Sequence, residues 1–259
     1  MRPAPGCAMQ RAFRKNIRIG SGILLAIAMA GCGKDNPAKN NGTGPLVYRW
    51  DFNTLSGWID DSQNTGGPDN YRIEDGTLRI RTRPNTWDRA KVRTEEKKYK
   101  AGLYTWRVFV PIMGAGDQAS IGAFLYHSDS RELDFEIGYG KSADRKLLKA
   151  SEDDLIVFTT CQADPSKSTK HLLKRDRWYD LSIRLDLTGE PGEQKYRAAW
   201  LVDSLKIEEM QLGFSLETPF YIYCSVENLQ FLGDHIPYQE NFALFDFVEH
   251  APLDTTGAQ

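Results

Sequence analysis

Arg131-Glu132-Leu133-Asp134-Phe135-Glu136-Ile137-Gly138-Tyr139-Gly140 opens with a strict alternation: carboxylates at 132, 134 and 136, apolar residues at 133, 135 and 137. Successive side chains of a strand point to opposite faces, so the pattern predicts a strand with one acidic face and one core face. Like charges in a row repel, and the row costs stability unless water, cations or a substrate offset it. A solvated strand face is the plain reading of such alternation. A chemical reading competes with it.

Two carboxylates flanking a scissile bond are the usual apparatus of glycoside hydrolysis. One is ionised to attack the sugar; the other is protonated to release the leaving group. A negative neighbour between them raises the pKa of the group that keeps its proton. Strand residues four apart have Cα atoms roughly 13 Å apart, whereas retaining chemistry wants the carboxyls at about 5–5.5 Å and inverting chemistry at about 6.5–9.5 Å. The side chains must lean inward, and the spacing by itself leaves the stereochemistry open.

Glu132-Leu133-Asp134-Phe135-Glu136 resembles the catalytic strand of glycoside hydrolase family 16, whose pattern is Glu, aliphatic, Asp, apolar, Glu. The resemblance implies Glu132 as nucleophile, Asp134 as its support and Glu136 as acid/base. Further stretches resemble the family across about the whole mature domain. They are Asp75-Gly76-Thr77-Leu78-Arg79-Ile80, the run Gly102 to Pro111 with Arg107 at the family's Arg, Trp200-Leu201-Val202-Asp203 and Phe245-Asp246-Phe247-Val248. The implied fold is all-β: a concanavalin A-like jelly-roll sandwich of two antiparallel sheets, the acidic strand lining a concave sheet. Departures are equally plain. The family's Trp-Pro-Ala-Phe-Trp is Gly122-Ala123-Phe124-Leu125-Tyr126 with its neighbour Ile121, no His lies between Leu155 and Gln162, and the late Gly-Gly-x-Trp-Pro-Gly is replaced by Glu227 to Gly233.

The N-terminal region reads as an address. Residues 1–18 carry Arg2, Arg11, Arg14, Lys15 and Arg18 without an acid, and an apolar run follows from Ile19 to Ala30. A basic segment, a short apolar segment and then small residues predict a secretory signal over 1–31, too short to span as a mature helix. Met29-Ala30-Gly31-Cys32 resembles a bacterial lipobox, which implies lipidation of Cys32 as the mature N-terminus. Gly33 after the Cys favours the outer membrane, and Cys7 leaves with the signal. Residues 32–45 have nothing to bury and read as a flexible tether; 46–253 are expected to form one domain, with 254–259 a tail.

Losing the leader's five cations takes the formal net charge from −2 to near −7. An acidic secreted domain is no electrostatic partner for nucleic acid or anionic membrane; membrane contact is expected through the lipid anchor only, and the chain as a monomer. Nine further strand-like runs punctuated by turn residues such as Asp75-Gly76, Gly66-Gly67-Pro68 and Gly189 to Gly192 support a sandwich or barrel. Ser142 to Ala150 is the candidate helix, with Ser142 as N-cap.

Aromatic rings stack on sugars, which makes Trp58, Trp87, Trp106, Tyr126, Tyr139 and Trp178 platform candidates, against the alternative that they fill the core. Tyr126 and Tyr139 flank the acidic strand and are chosen as substrate contacts, together with Arg107. Cys161 and Cys224, alone in the domain, form either a disulfide or two buried thiols. His127, His171, His235 and His250 lack ligand spacing, so no metal is expected, and no phosphate loop or Gly-x-Ser-x-Gly elbow calls for a cofactor. Two functions remain: a retaining endo-acting hydrolase or transglycosylase on a β-linked polysaccharide, or a non-catalytic glycan-binding envelope lipoprotein. Mass spectrometry of the mature protein is expected to find a diacylglyceryl-modified Cys32 at its N-terminus. A mature chain beginning at any other residue would reject the anchor.

Overall fold

The computed structural model describes residues 46–64 and 70–253. The signal, Cys7, Cys32, the tether over 32–45, the Gly66-Gly67-Pro68 turn and the 254–259 tail lie outside the described residues. Strands are numbered in chain order. One sheet runs β13 (Leu205–Gln211), β12 (Lys195–Val202), β11 (Arg177–Thr188), β6 (Gly102–Val110), β15 (Asn241–Pro252), β4 (Thr77–Thr82) and β3 (Tyr71–Glu74), with β1 (Tyr48–Trp50) also paired to β15. The other runs β10 (Lys167–Lys174), β9 (Asp154–Cys161), β8 (Arg131–Gly138), β7 (Ala119–Ser128), β14 (Tyr221–Asn228), β5 (Arg89–Thr94) and β2 (Trp58–Asp60). Every pairing is antiparallel. The molecule is the expected jelly-roll β-sandwich, and the acidic strand β8 sits well inside the seven-stranded sheet.

Period-two alternation decides which face of each strand is buried. On β8, Leu133, Phe135 and Ile137 are wholly buried, each worth about 1.5–3 kcal/mol of burial. Facing strands of the other sheet supply Trp106 and Trp200, also wholly buried. A buried indole needs an acceptor for its N–H, and both find one across the core. Trp106 Nε1 donates to the carbonyl of Tyr223 on β14, and Trp200 Nε1 to that of Asp134 on β8, each at 3.0 Å. Trp106 is therefore core, not a sugar platform.

All nine predicted runs are strands. Five further strands, β2, β3, β5, β10 and β13, escape a search for apolar runs because they are short, charged or at an edge. β5 reads Arg89-Ala90-Lys91-Val92-Arg93-Thr94; its apolar residues are only Ala90 and Val92, buried on one face with Thr94, and the cations face away. The helix α1 is Ser142–Leu148, capped at Lys141 without a side-chain bond. Ser142 instead bonds Asp234 through its N–H (3.0 Å) and hydroxyl (2.5 Å), which corrects the expected N-cap.

Cys161 and Cys224 are both buried free thiols. They stand on β9 and β14 with β8 and β7 between them. Three strand spacings are about 14 Å, twice the reach of a disulfide, about 7 Å. The bridge is ruled out by sheet order.

His250 on β15 is buried, stacked on Tyr104 at 4.2 Å and packed edge-on against Tyr99. Burial pulls its imidazole down to about 4, opposed by the carbonyls of Ala101 and Lys100. A depressed histidine leaves stability intact above the unfolded value near 6.5 and removes it as pH falls toward the folded value. The loss is about 3 kcal/mol at full protonation. Denaturant titrations from pH 7 to 4 should show His250→Phe escaping that part of the loss. Parallel pH profiles for variant and wild type would contradict it.

Candidate active site

Strand register assembles the site. Phe158, Glu136, Gly122, Ser225 and Lys91 stand abreast across β9, β8, β7, β14 and β5. The next row holds Thr160, Asp134, Phe124, Tyr223 and Arg93, and the next sets Glu132 beside Tyr126 and Tyr221. On the side of Glu136 away from Glu132, Glu227 lies between Ser120 and Arg89. Apart from Phe158, Thr160, Arg93 and Tyr221, the residues of these rows line a cleft of about 300 Å³ on the outer face of the sheet. Phe124 and Tyr223 stack at 4.4 Å within its lining, and Tyr223 donates to Asp61 at 2.7 Å. A second apolar cluster of Ile156, Phe158 and Leu232, with Leu148 and Leu229 against it, ties the loop after β14 to this face.

The three β8 carboxyls are not equivalent. Burial, reinforced by Glu132 and Glu136, holds Asp134 well above the carboxylate range. It shares a hydrogen bond with Glu132, and such a bond between carboxyls needs a proton, which the more buried Asp134 supplies. Gln162 Nε2 donates to Asp134 Oδ2 at 3.0 Å. Burial also raises Glu132, as do Glu227 and Asp129, while the Asp134 bond and Lys91 favour its charged form. Glu136 is raised by burial and then by Glu227 and Glu132, with only the field of Arg89 opposing. Glu132 is thus the member prepared to ionise and Glu136 the member prepared to keep its proton. That division is the one an attacking carboxylate and a general acid require.

Of the other expected contacts, Tyr126 lines the cleft and donates to Asp129 at 2.7 Å. Tyr139 packs against the core under the Arg145 guanidinium, 3.8 Å from its ring centroid. It is not part of the cleft lining. Arg107 is on β6 of the opposite sheet, paired with Asp180 at 3.1 Å beside Trp178. It too is removed from the site, and Trp178 with it. Trp58 is core, and exposed Trp87 is not part of the cleft lining. Sequence reasoning missed Glu227, Arg89, Lys91, Gln162 and Ser120. The period-two pattern of β14, with Tyr221, Tyr223, Ser225 and Glu227 on one face, was the signal that could have found Glu227. Among the described residues no cluster of His, Cys, Asp and Glu is arranged to hold a metal ion.

No family model matches the sequence, and a search of curated proteins finds no match either. Solved structures do match. A prokaryotic beta-1,3-1,4-glucanase (lichenase) derived from a mouse hindgut metagenome aligns with TM-score 0.55 and 16% identity, over 80% of this chain and 99% of that one. LamA from Z. galactanivorans, in complex with laminaritriose and laminaritetraose, aligns with TM-score 0.58 and 13% identity over 82% and 99%. The apo Crh5 transglycosylase gives 0.57 and 12% over 85% and 91%. At such identities the likeness is one of fold, and it agrees with the jelly-roll β-sandwich of the described residues.

The protonated site has a thermodynamic consequence. Glu136 is pushed up to about 8 from 4.5, so its stabilising protonation is fully present below 4.5 and lost as pH rises through the folded value. Glu136→Gln should therefore be more stable than wild type by about 1–2 kcal/mol at pH 8 and gain little at pH 5. Thermal melts at both pH values check this; a gain independent of pH would remove the case for a proton on Glu136.

Proposed function

We propose that the chain is a divergent member of glycoside hydrolase family 16, a retaining, endo-acting hydrolase or transglycosylase on a β-linked polysaccharide. The observation carrying this reading is the row of Glu132, Asp134 and Glu136 on one face of β8, all three lining the cleft. The leader and Cys32 support a place at the bacterial cell envelope, held by lipid. The retaining course rests on the resemblance of the acidic strand to the family.

Glu132 attacks the anomeric carbon and forms the glycosyl-enzyme ester. Asp134, donating to Glu132, draws off part of its charge and orients the attacking oxygen. Glu136 gives its proton to the departing glycosidic oxygen; the fragment leaves as an alcohol. Glu136, now a carboxylate, takes a proton from water or from an acceptor sugar hydroxyl. That oxygen attacks the anomeric carbon, and the ester breaks to return Glu132. Two inversions restore the β configuration.

The test begins with purified protein on β-glucans, agar, carrageenan and xylan. On whichever glycan is cleaved, Glu132→Gln should lose turnover while keeping affinity, because the lost charge acts mainly in the transition state. Glu136→Ala should fall about 10²–10⁴-fold and recover with azide on a substrate carrying a good leaving group, giving a β-glycosyl azide. Asp134→Asn should lose less than either. Activity surviving Glu132→Gln would overturn the assignment. Glycan binding without cleavage would leave the non-catalytic lipoprotein.

A further inference from the structure

Glu227 has no part in the mechanism above, yet it is a buried carboxyl in the cleft. Two cations converge on one of its oxygens: Arg89 Nε at 2.5 Å and Lys91 Nζ at 3.1 Å both donate to Oε2. Neither reaches Oε1. Arg89 spends a second donor on Gln63 Oε1 at 2.9 Å, whereas Lys91 Nζ makes no other hydrogen bond among the described residues. Beside Glu227 in the register, Ser120 is 1% exposed, lines the same cleft, and its hydroxyl has no hydrogen-bond partner among the described residues. A buried hydroxyl left unpaired is costly, so its place in a cleft lining points to a ligand. Between Glu136 and Lys91 the row offers only Gly122 and Ser225; a Cβ on Gly122 would drive into Ser225 Oγ. The lane is kept free of bulk.

We propose that Glu227, Lys91 and Ser120 form a subsite beside Glu136 that takes neighbouring hydroxyls of an uncharged sugar. Glu227 Oε1 accepts from one hydroxyl, and Lys91 Nζ and Ser120 Oγ donate to the next. Vicinal hydroxyls suit this mixture because each both donates and accepts. A sulfated or uronic sugar does not. Among the described residues six carboxyls line the cleft (Asp61, Asp129, Glu132, Asp134, Glu136 and Glu227) against Arg89 and Lys91 alone, and Glu227 already offsets the charge of both cations. The inference rests on the glycan-active reading and narrows its substrate class.

The test uses Glu132→Gln as a form that binds without turnover. Its affinity is measured for laminarin, barley mixed-linkage β-glucan and xylan, and for κ-carrageenan and alginate as charged counterparts. The neutral glycans should bind and the charged ones should not. Adding Glu227→Gln should weaken neutral binding about tenfold or more and, by freeing Arg89 and Lys91, strengthen carrageenan binding. A structural role alone would not move the two in opposite directions. Should Glu227→Gln fold poorly, Ser120→Ala carries the test, because it deletes an unpaired hydroxyl without harming the core. It should weaken neutral binding about threefold to tenfold. Preference for the charged glycans, or neutral affinity and KM unchanged in both variants, would overturn the subsite and leave the glycosidase reading standing. Neither binding nor cleavage of any glycan would overturn both.

Discussion

Trp200 Nε1 reaches through the core to the carbonyl of Asp134, and the strand it holds has no freedom left. β8 is paired on both edges, by β7 and β9, and its inward side chains are sealed. A one-residue slip would turn Leu133, Phe135 and Ile137 outward and bury three carboxyls in the core. The apolar face therefore fixes the position of the acidic one. Trp106 makes the equivalent bond to β14, the strand that carries Glu227.

Holding the carboxyls this rigidly costs stability. All three are pushed toward the neutral form by burial before any neighbour acts. What distinguishes them is local. Asp134 receives Gln162 and gives to Glu132; Glu136 has only the distant help of Arg89. The asymmetry between Glu132 and Glu136 thus comes from partners just beyond β9 and on β5, while β8 itself is nearly symmetric about Asp134. Strain of this kind is typical of sites whose use outweighs their cost to the fold.

The tryptophans and histidine that the resemblance led one to expect are absent, and the sandwich forms without them. Where resemblance led one to look for indoles, Phe124 stacks on Tyr223 and Tyr126 stands beside Glu132. A polar end built from Glu227, Arg89 and Lys91 faces that aromatic end along the same strands. The cleft is thus aromatic at one end and rich in hydrogen-bonding groups at the other.

The choice of a sandwich over a barrel came from the family resemblance; the sequence by itself determined the strand β8 and its three carboxyls. These follow from period-two alternation, which is a local property carried by adjacent residues. It also carried most strand positions wherever apolar residues were dense, and missed β5, whose two apolar residues are interleaved with cations. Tertiary structure alone decided what stands beside β8. Arg107 and Tyr139 are near it in pattern or chain but not in the cleft, and Cys161 and Cys224 look like a pair yet sit three strands apart. Lys91 and Glu227, separated by 136 positions, meet because β5 and β14 are neighbours in the sheet. Sheet order and register are set by packing of the whole core, and no local stretch encodes them.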